Sequence, residues 1–284
     1  MSEPTLIKYV DTQWLNSNLN SGYTILDFQP DIHDYIKEHI PGAVYVNEKH
    51  FRYYHLNQPA AYVPSTMIEV VLSQAGLSNS SPVIIYGGNG RFSQQGDGLE
   101  QTMAAYTLAR FGHREIYILN GGIESWIEAD LALEKSFPTV PQKTFISSLQ
   151  NDLFYDYHQF REAKDKPNTV LIDVRPRTVY EGKSIWSKAG HIPGARNLPW
   201  RLLMSHSNAN FLRPLHQINE IIQDMNISSS QSIILYCGTG REASSAFVVF
   251  KYVLTFPDVR IYEGSFTEWC SYLENQTATG PAPY

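Results

Sequence analysis

Short runs of apolar, often β-branched residues recur along the chain, and most of them end at glycine or at a polar residue. The clearest of these runs are 23–28, 82–86, 170–175 and 232–236. Runs of this length bounded by turn residues are typical of buried strands. Longer apolar stretches at 99–111 and 243–254 predict helices that pack on a sheet. Strands that alternate with helices predict parallel α/β sheets.

The pattern is written twice along the chain. The pentapeptide His-Ile-Pro-Gly-Ala begins at His39 and again at His191. Each copy is followed by an apolar strand and a glycine-rich turn, which begins at Gly87 in the first half and at Cys237 in the second. The offsets between these matching positions are 152 and 150 residues. The chain is therefore a duplicated domain and not a short-period repeat.

The predicted fold class is α/β, with two tandem domains that each contain a small parallel sheet flanked by helices. We expect an N-terminal, non-catalytic domain over residues 1–135 and a C-terminal catalytic domain over residues 151–284. The linker is predicted at 136–150, because two prolines and no helical period mark the start of that stretch.

The second glycine-rich turn is the strongest candidate for chemistry, and we call residues 237–242 the Cys237 turn. Its sequence is Cys237-Gly238-Thr239-Gly240-Arg241-Glu242. The thiolate is the reactive form of cysteine, and its pKa falls near a cation or at a helix N-terminus. Glycine accepts positive φ, so the backbone N–H groups of such a turn can converge on an anion. We predict that Cys237 is a nucleophile with a lowered pKa, which residues 238–242 surround.

Composition narrows the classes of partner. Hydrophobic residues make up 43% of the chain and charged residues 18%, a globular mixture. The net charge is −6 and no basic run occurs, which argues against nucleic acid or an anionic membrane. Residues 1–5 lack a secretory pattern and no apolar run reaches spanning length, so we expect a cytoplasmic protein.

The chain contains two cysteines, Cys237 and Cys270. Two thiols at this spacing exclude a disulfide framework and make no zinc signature. We therefore expect neither a metal nor another cofactor. Cys270 follows a tryptophan in an apolar helical stretch, which predicts a packed, structural thiol.

These features resemble the rhodanese family of sulfurtransferases, in the tandem form that includes thiosulfate and 3-mercaptopyruvate sulfurtransferases. The resemblance covers residues 9–272 and is carried by both pentapeptides, by the Cys237 turn and by the segments 173–175 and 262–269. It implies that Cys237 takes a sulfur from a small-molecule donor as a persulfide, and that a second nucleophile removes it. The implied acceptors are cyanide, a small thiol or a protein thiol such as that of a thioredoxin-like protein.

The resemblance leaves the donor open. The sequence Cys-Gly-Thr-Gly resembles the Cys-Gly-Ser-Gly of mercaptopyruvate-type enzymes and implies that the Thr239 hydroxyl assists proton transfer. Thiosulfate-type turns carry basic residues after the cysteine, and here Arg241 supplies one cation. Where the mercaptopyruvate type has an arginine, this chain has Lys183, which lacks the bidentate grip on a carboxylate. The candidate donor-binding residues are Lys183, Arg177, Arg52 and His55.

Several other residues are expected to have structural roles. By the family pattern, His39 and His191 fix turns through hydrogen bonds of their rings. Arg175 is expected to pair within its own domain. Glu242 either raises the pKa of the neighbouring thiol or pairs with Arg241, and of these two readings we expect the pairing.

Two other functions stay open at this point. A cysteine-dependent phosphatase on the related fold needs five residues between the cysteine and the arginine that binds phosphate. Arg241 comes two positions early for that chemistry, and hydrolysis of an aryl phosphate discriminates the two enzyme classes. The second alternative is a non-catalytic sulfur-carrier or regulatory module, since Gly87 leaves the first copy without a nucleophile. Turnover distinguishes an enzyme from such a module.

Overall fold

The computed structural model describes residues 5–55 and 58–284. Residues 1–4, which belong to the N-terminal stretch without a secretory pattern, lie outside the described residues. The chain forms two compact units. The first comprises the residues up to Arg52, Tyr62–Gln150 and Met204–Leu212, and the second comprises Tyr53–Ala61, Asn151–Leu203 and Arg213–Tyr284.

The first unit is built on a parallel sheet. The elements of the first half are β1 (Leu6–Val10), α1 (Thr12–Asn18), β2 (Thr24–Asp27), α2 (Ile32–Lys37), β3 (Val44–Tyr45), a 3-10 helix (Glu48–Phe51), β4 (Arg52–His55), β5 (Gln58–Tyr62), α3 (Ser65–Gln74), β6 (Val83–Tyr86), α4 (Glu100–Arg110), β7 (Glu115–Leu119) and α5 (Gly122–Glu128). The strand order is β1-β7-β6-β2-β3, and the strands pair in parallel. All four residues of β6 are buried, as a strand covered on both faces requires.

The second unit repeats this architecture. The elements of the second half of the chain are β8 (Phe154–Tyr155), α6 (Tyr157–Ala163), β9 (Thr169–Asp173), α7 (Arg177–Glu181), β10 (Arg196–Asn197), a 3-10 helix (Trp200–Leu203), α8 (Leu215–Asp224), β11 (Ser232–Tyr236), α9 (Arg241–Val248), a π-helix (Val249–Val253), β12 (Val259–Tyr262) and α10 (Ser265–Ser271). The parallel strand order is β10-β9-β11-β12-β8. The predicted α/β fold class is confirmed. The helix predicted over 243–254 begins earlier, at Arg241, and ends in the π-helix.

Both glycine-rich turns follow a central strand. Strand β11 lies between β9 and β12, and Cys237 is the first residue after it. Strand β6 lies between β7 and β2, and Gly87 is the first residue after that strand. In open parallel sheets, ligands bind beyond the carboxyl ends of the strands. The fold thus places both turns at the ends where ligands bind in such sheets.

The two histidines of the repeated pentapeptide are buried in the structure. Nδ1 of His39 is 2.7 Å from the Tyr35 carbonyl oxygen, and Nδ1 of His191 is 2.9 Å from that of Tyr180. Each imidazole also stacks on the ring of the same tyrosine, with ring centres 4.0 and 3.7 Å apart. These contacts confirm the predicted role of both rings in fixing turns.

Residues 136–150, the predicted linker, belong to the first unit. Phe145 is buried there, and the backbone N–H of Ile146 donates to the side-chain oxygen of Asn79 at 2.9 Å. Packing therefore ties this proline-containing stretch to the first sheet unit. Among the described residues, we find no helix that combines the length and the apolar character needed to span a membrane.

The second strand of each unit ends in a buried carboxylate with a different neighbour. Asp27 accepts the backbone N–H of Gln29 at 2.7 Å, and burial raises the pKa of Asp27 to about 6. Asp173 instead forms an ion pair with Arg175, with Nη2 and Oδ2 2.5 Å apart and both side chains almost fully buried. The prediction that Arg175 pairs within its domain is confirmed.

We predict that Arg175→Met destabilises the second unit by about 3–5 kcal/mol, because it leaves the buried charge of Asp173 without a partner. The matched change in the first unit, Gln29→Met, removes two hydrogen bonds of an uncharged amide, one of them to the Asp27 carboxylate, and should cost less, about 1.5–3 kcal/mol. Urea unfolding followed by hydrogen exchange would assign each loss to its unit. Equal losses in the two variants would contradict the prediction.

Candidate active site

Cys237 lies between the end of β11 and the start of α9, and 1% of its surface is exposed. The chain reverses here through Gly240, whose φ of +82° is strained for any residue with a side chain. A Cβ at Gly240 would also lie 3.0 Å from the Glu263 carbonyl oxygen. Glycine at this position therefore lets the turn close tightly around the cysteine.

Three backbone N–H groups donate to the Cys237 sulfur, and they belong to Thr239, Glu242 and Ala243. The last two lie in the first turn of α9, where N–H groups have no partner within the helix. Hydrogen bonds of this kind favour the thiolate over the thiol. The structure thus brings the predicted turn residues together around one sulfur atom.

The pKa of the free thiol differs from the prediction. Burial and then the negative charge of Glu242 raise the pKa of Cys237 to about 11, although the three amides lower it. The predicted lowered pKa is therefore wrong, because the loss of water around the sulfur outweighs the hydrogen bonds that it receives. Glu242 thus acts on the thiol, which is the reading that we did not favour, and its expected pairing with Arg241 stays a prediction.

The segment from Ser265 to Thr267 fixes the backbone of the Cys237 turn from behind. The Phe266 N–H donates to the Cys237 carbonyl at 3.0 Å, and the Thr267 N–H donates to the Gly238 carbonyl at 3.1 Å. The Thr267 hydroxyl donates to the same Gly238 oxygen at 2.8 Å. The Ser265 hydroxyl oxygen accepts the Cys237 N–H at 3.2 Å. The start of α10 is therefore part of the site.

The indole of Trp186 lies against Gly238. A Cβ at Gly238 would come within 2.8 Å of the indole ring, so only glycine fits under it. The indole Nε1–H donates to the Thr267 hydroxyl oxygen at 2.7 Å. Sequence reasoning missed Trp186 and Thr267 as site residues, because no motif links positions that lie 81 residues apart.

The four candidate donor-binding residues have the following surroundings. Arg177 is exposed and pairs with Glu181 at 2.7 Å. Lys183 and His55 are exposed, and Arg52 is half-buried at the start of β4 in the first unit. Their contact with a donor stays a prediction. Among the described residues, no group of three or more histidine, cysteine and acidic side chains is arranged to hold a metal ion.

A small cavity lies beside Thr239. Its volume is about 10 Å³, which is room for about one water molecule. The cavity is lined by Gln58, Pro59, Ala60, Thr239, Glu263, Gly264 and Thr267, all of which belong to the second unit. A water bound there would meet the hydroxyl-bearing residues Thr239 and Thr267.

The matching turn of the first unit, residues 87–91, is arranged differently, and we call it the Gly87 turn. The side-chain oxygen of Asn210 lies 3.2 Å from the position that a Cβ on Gly87 would take. A carboxylate oxygen of Glu124 accepts the Asn89 N–H at 2.7 Å. This turn has no thiol, and the protein's own side chains occupy its centre.

Cys270 belongs to the hydrophobic core of the second unit, together with Phe266 and Trp269. Burial raises the pKa of its thiol, and the backbone N–H of Lys188 donates to its sulfur and lowers that pKa in part. The predicted packed thiol is confirmed.

The fold and the turn define a duplicated α/β protein with one buried cysteine at the end of a central strand. Residues 11–129 and 156–272 each match the rhodanese-like domain family. The chain therefore belongs to the rhodanese family, in the tandem sulfurtransferase form that the sequence resembles.

Relatives and solved structures agree with this assignment. A protein of Synechococcus elongatus named "Putative thiosulfate sulfurtransferase" is 31% identical, over 97% of this chain and 86% of that protein. "Sulfur carrier protein TtuD" of Thermus thermophilus is 25% identical, over 92% of each chain. The structure of an anaerobic ergothioneine biosynthesis enzyme from Chlorobium limicola shares the fold, with a TM-score of 0.82 and 23% identity over 96% of this chain and 70% of that one.

We predict that Glu242→Gln lowers the pKa of Cys237, because the substitution removes the nearby negative charge that raises it. Below its pKa, the thiolate fraction of a cysteine rises about tenfold per pH unit. The rate of Cys237 alkylation by iodoacetamide, read by peptide mass spectrometry between neutral and alkaline pH, should therefore follow a profile shifted to lower pH. The shape of the profile reports ionisation separately from access to the buried sulfur. Glu128→Gln, on the surface of the first unit, is the control, and a Glu242→Gln profile that matches it would contradict this account.

Proposed function

We propose that this protein is a sulfurtransferase that moves a sulfur atom from thiosulfate or 3-mercaptopyruvate to cyanide or a thiol acceptor, through the sulfane sulfur of a persulfide on Cys237. The observation that carries the proposal is the convergence of three backbone N–H groups on the Cys237 sulfur. Membership of the rhodanese family supports it, as does the loss of the nucleophile at Gly87 in the other copy.

In the first half-reaction, the Cys237 thiol loses its proton and the thiolate attacks the sulfur atom that the donor gives up. With thiosulfate, a bond forms between Sγ and the outer sulfur, the sulfur–sulfur bond of the donor breaks, and sulfite leaves with that electron pair. With 3-mercaptopyruvate, a bond forms between Sγ and the single sulfur of the donor, the carbon–sulfur bond breaks, and its electron pair stays on the carbon as the enolate, which takes up a proton to give pyruvate. The resemblance assigns the Thr239 hydroxyl a part in moving these protons.

In the second half-reaction, the acceptor attacks the outer sulfur of the persulfide. The bond between Sγ and the outer sulfur breaks, and its electron pair returns to Cys237 as the thiolate. Cyanide would leave as thiocyanate, and a thiol acceptor would leave as a persulfide. Backbone N–H groups that already point at the sulfur stabilise this charge without reorganisation during the reaction.

We predict that the protein forms thiocyanate from cyanide with at least one of the two donors and that Cys237→Ala reduces the rate to that of the uncatalysed reaction, because the variant has no nucleophile to carry the sulfur. Each donor is tested separately. Cys270→Ala, which changes the other thiol, is the matched control and should keep the activity. A Cys237→Ala variant as active as the wild type would exclude Cys237 as the nucleophile.

The Thermus thermophilus relative, by its name as a sulfur carrier protein, favours a second candidate function. As a carrier, this chain would accept one sulfur on Cys237 and pass it only to a dedicated partner. With donor and cyanide both in excess, an enzyme forms many thiocyanate molecules per chain, whereas a carrier takes up one sulfur on Cys237 and forms no thiocyanate. Counting product per chain therefore separates the two functions.

A further inference from the structure

The two turns of the duplicated domain are fixed by the same backbone hydrogen bond. The Ile123 N–H donates to the Gly87 carbonyl, and the Phe266 N–H donates to the Cys237 carbonyl, both at 3.0 Å. The turns can therefore be compared residue by residue within one protein. The next position along each helix differs in chemistry, since the first copy has a carboxylate there and the second has a hydroxyl.

These two side chains bind opposite groups of the turn. Glu124 accepts the Asn89 N–H, which is the third amide of the Gly87 turn. Thr267 instead donates to the Gly238 carbonyl through both its N–H and its hydroxyl. The third amide of the Cys237 turn, that of Thr239, is left to donate to the sulfur. In the first copy, the residue at this position binds the third amide of the turn. In the second copy, it binds the preceding carbonyl, and the third amide faces the nucleophile.

The geometry of the peptide bond connects Thr267 to this amide. The Gly238 carbonyl and the Thr239 N–H belong to one planar trans peptide, so the two groups point in opposite directions. Two donors that fix the carbonyl therefore also fix the direction of the N–H. A hydroxyl has one proton to donate, and the Trp186 Nε1–H bond to the Thr267 oxygen leaves that proton for Gly238.

We propose that Thr267 is a positioning residue for Cys237 and that Trp186 sets the direction of its hydroxyl. Together they hold the peptide between Gly238 and Thr239 so that its N–H faces the sulfur, both in the thiolate and in the persulfide. This inference rests on the proposed role of Cys237. It assigns to Thr267 and Trp186 the task of keeping the Thr239 N–H directed at the sulfur. A carboxylate at position 267 would close the turn, as Glu124 does in the first copy.

The first test compares Thr267→Val with Thr267→Ser by the pH profile of Cys237 alkylation with iodoacetamide. The valine variant lacks the hydroxyl, and the weakened amide bond should raise the apparent pKa of Cys237 by about one unit, or about tenfold in rate at a fixed pH. The serine variant keeps the hydroxyl and should keep the wild-type profile. The control is Thr102→Val, which removes a buried hydroxyl bonded to backbone in α4 of the first unit and should leave the profile unchanged.

The second test addresses the Trp186 indole and the effect of a carboxylate placed at position 267. Trp186→Phe keeps a ring over Gly238 and removes the Nε1–H, so it should shift the profile in the same direction as Thr267→Val and by less. Thr267→Glu recreates the arrangement of the first copy and should abolish sulfur loading from both donors. Thermal midpoints and far-ultraviolet circular dichroism establish which variants are folded.

A folded Thr267→Val variant with the wild-type pH profile would overturn the proposal, and so would a Thr267→Ser variant that is as impaired as the valine variant. If Thr267→Val does not fold, an unshifted profile in Trp186→Phe overturns the proposal and a shifted one supports it. Alkylation needs no sulfur donor. A wild type that takes no sulfur from donors would therefore contradict the proposed function. The alkylation profiles would still test whether Thr267 positions the amide.

Discussion

The site of the second unit is built around one buried sulfur, and the groups around this atom have opposite effects on its ionisation. Burial removes water from Cys237 and favours the neutral thiol, and Glu242 acts in the same direction. Three backbone N–H groups favour the anion. The resting thiol is consequently protonated at neutral pH, while the groups that stabilise an anionic sulfur are already in place. Fixed dipoles of this kind act on charge that develops during a reaction and need no rearrangement.

The duplication shows which features accompany the nucleophile. Both units share the sheet, the buried acid and the backbone bond behind the turn. Among the matched positions that differ between the two copies, three bear on the turns, namely Gly87 and Cys237, Gln29 and Arg175, and Glu124 and Thr267. In the second copy, the charge of the Asp173 carboxylate is balanced by a buried cation, and the third amide of the turn donates to the sulfur. In the first copy, a carboxylate takes the amide instead.

Much of this could be predicted from the sequence, because its signals are local. Runs of apolar residues indicate the strands, and the repeated pentapeptide shows the duplication. The glycines around Cys237 indicate a turn whose backbone N–H groups point at the sulfur. The direction in which the pKa of Cys237 shifts could not be predicted, since it depends on how completely the sulfur is buried. The contact between Trp186 and Thr267 could not be predicted either, because it joins residues that are distant in the chain.

The central claim is that the second turn holds one sulfur atom which accepts another. Peptide mass spectrometry after incubation with thiosulfate or 3-mercaptopyruvate tests it most directly, without any acceptor present. The account predicts that the peptide containing Cys237 gains the mass of one sulfur atom and that the peptide containing Cys270 does not. Extra sulfur on Cys270, or on neither cysteine, would contradict it.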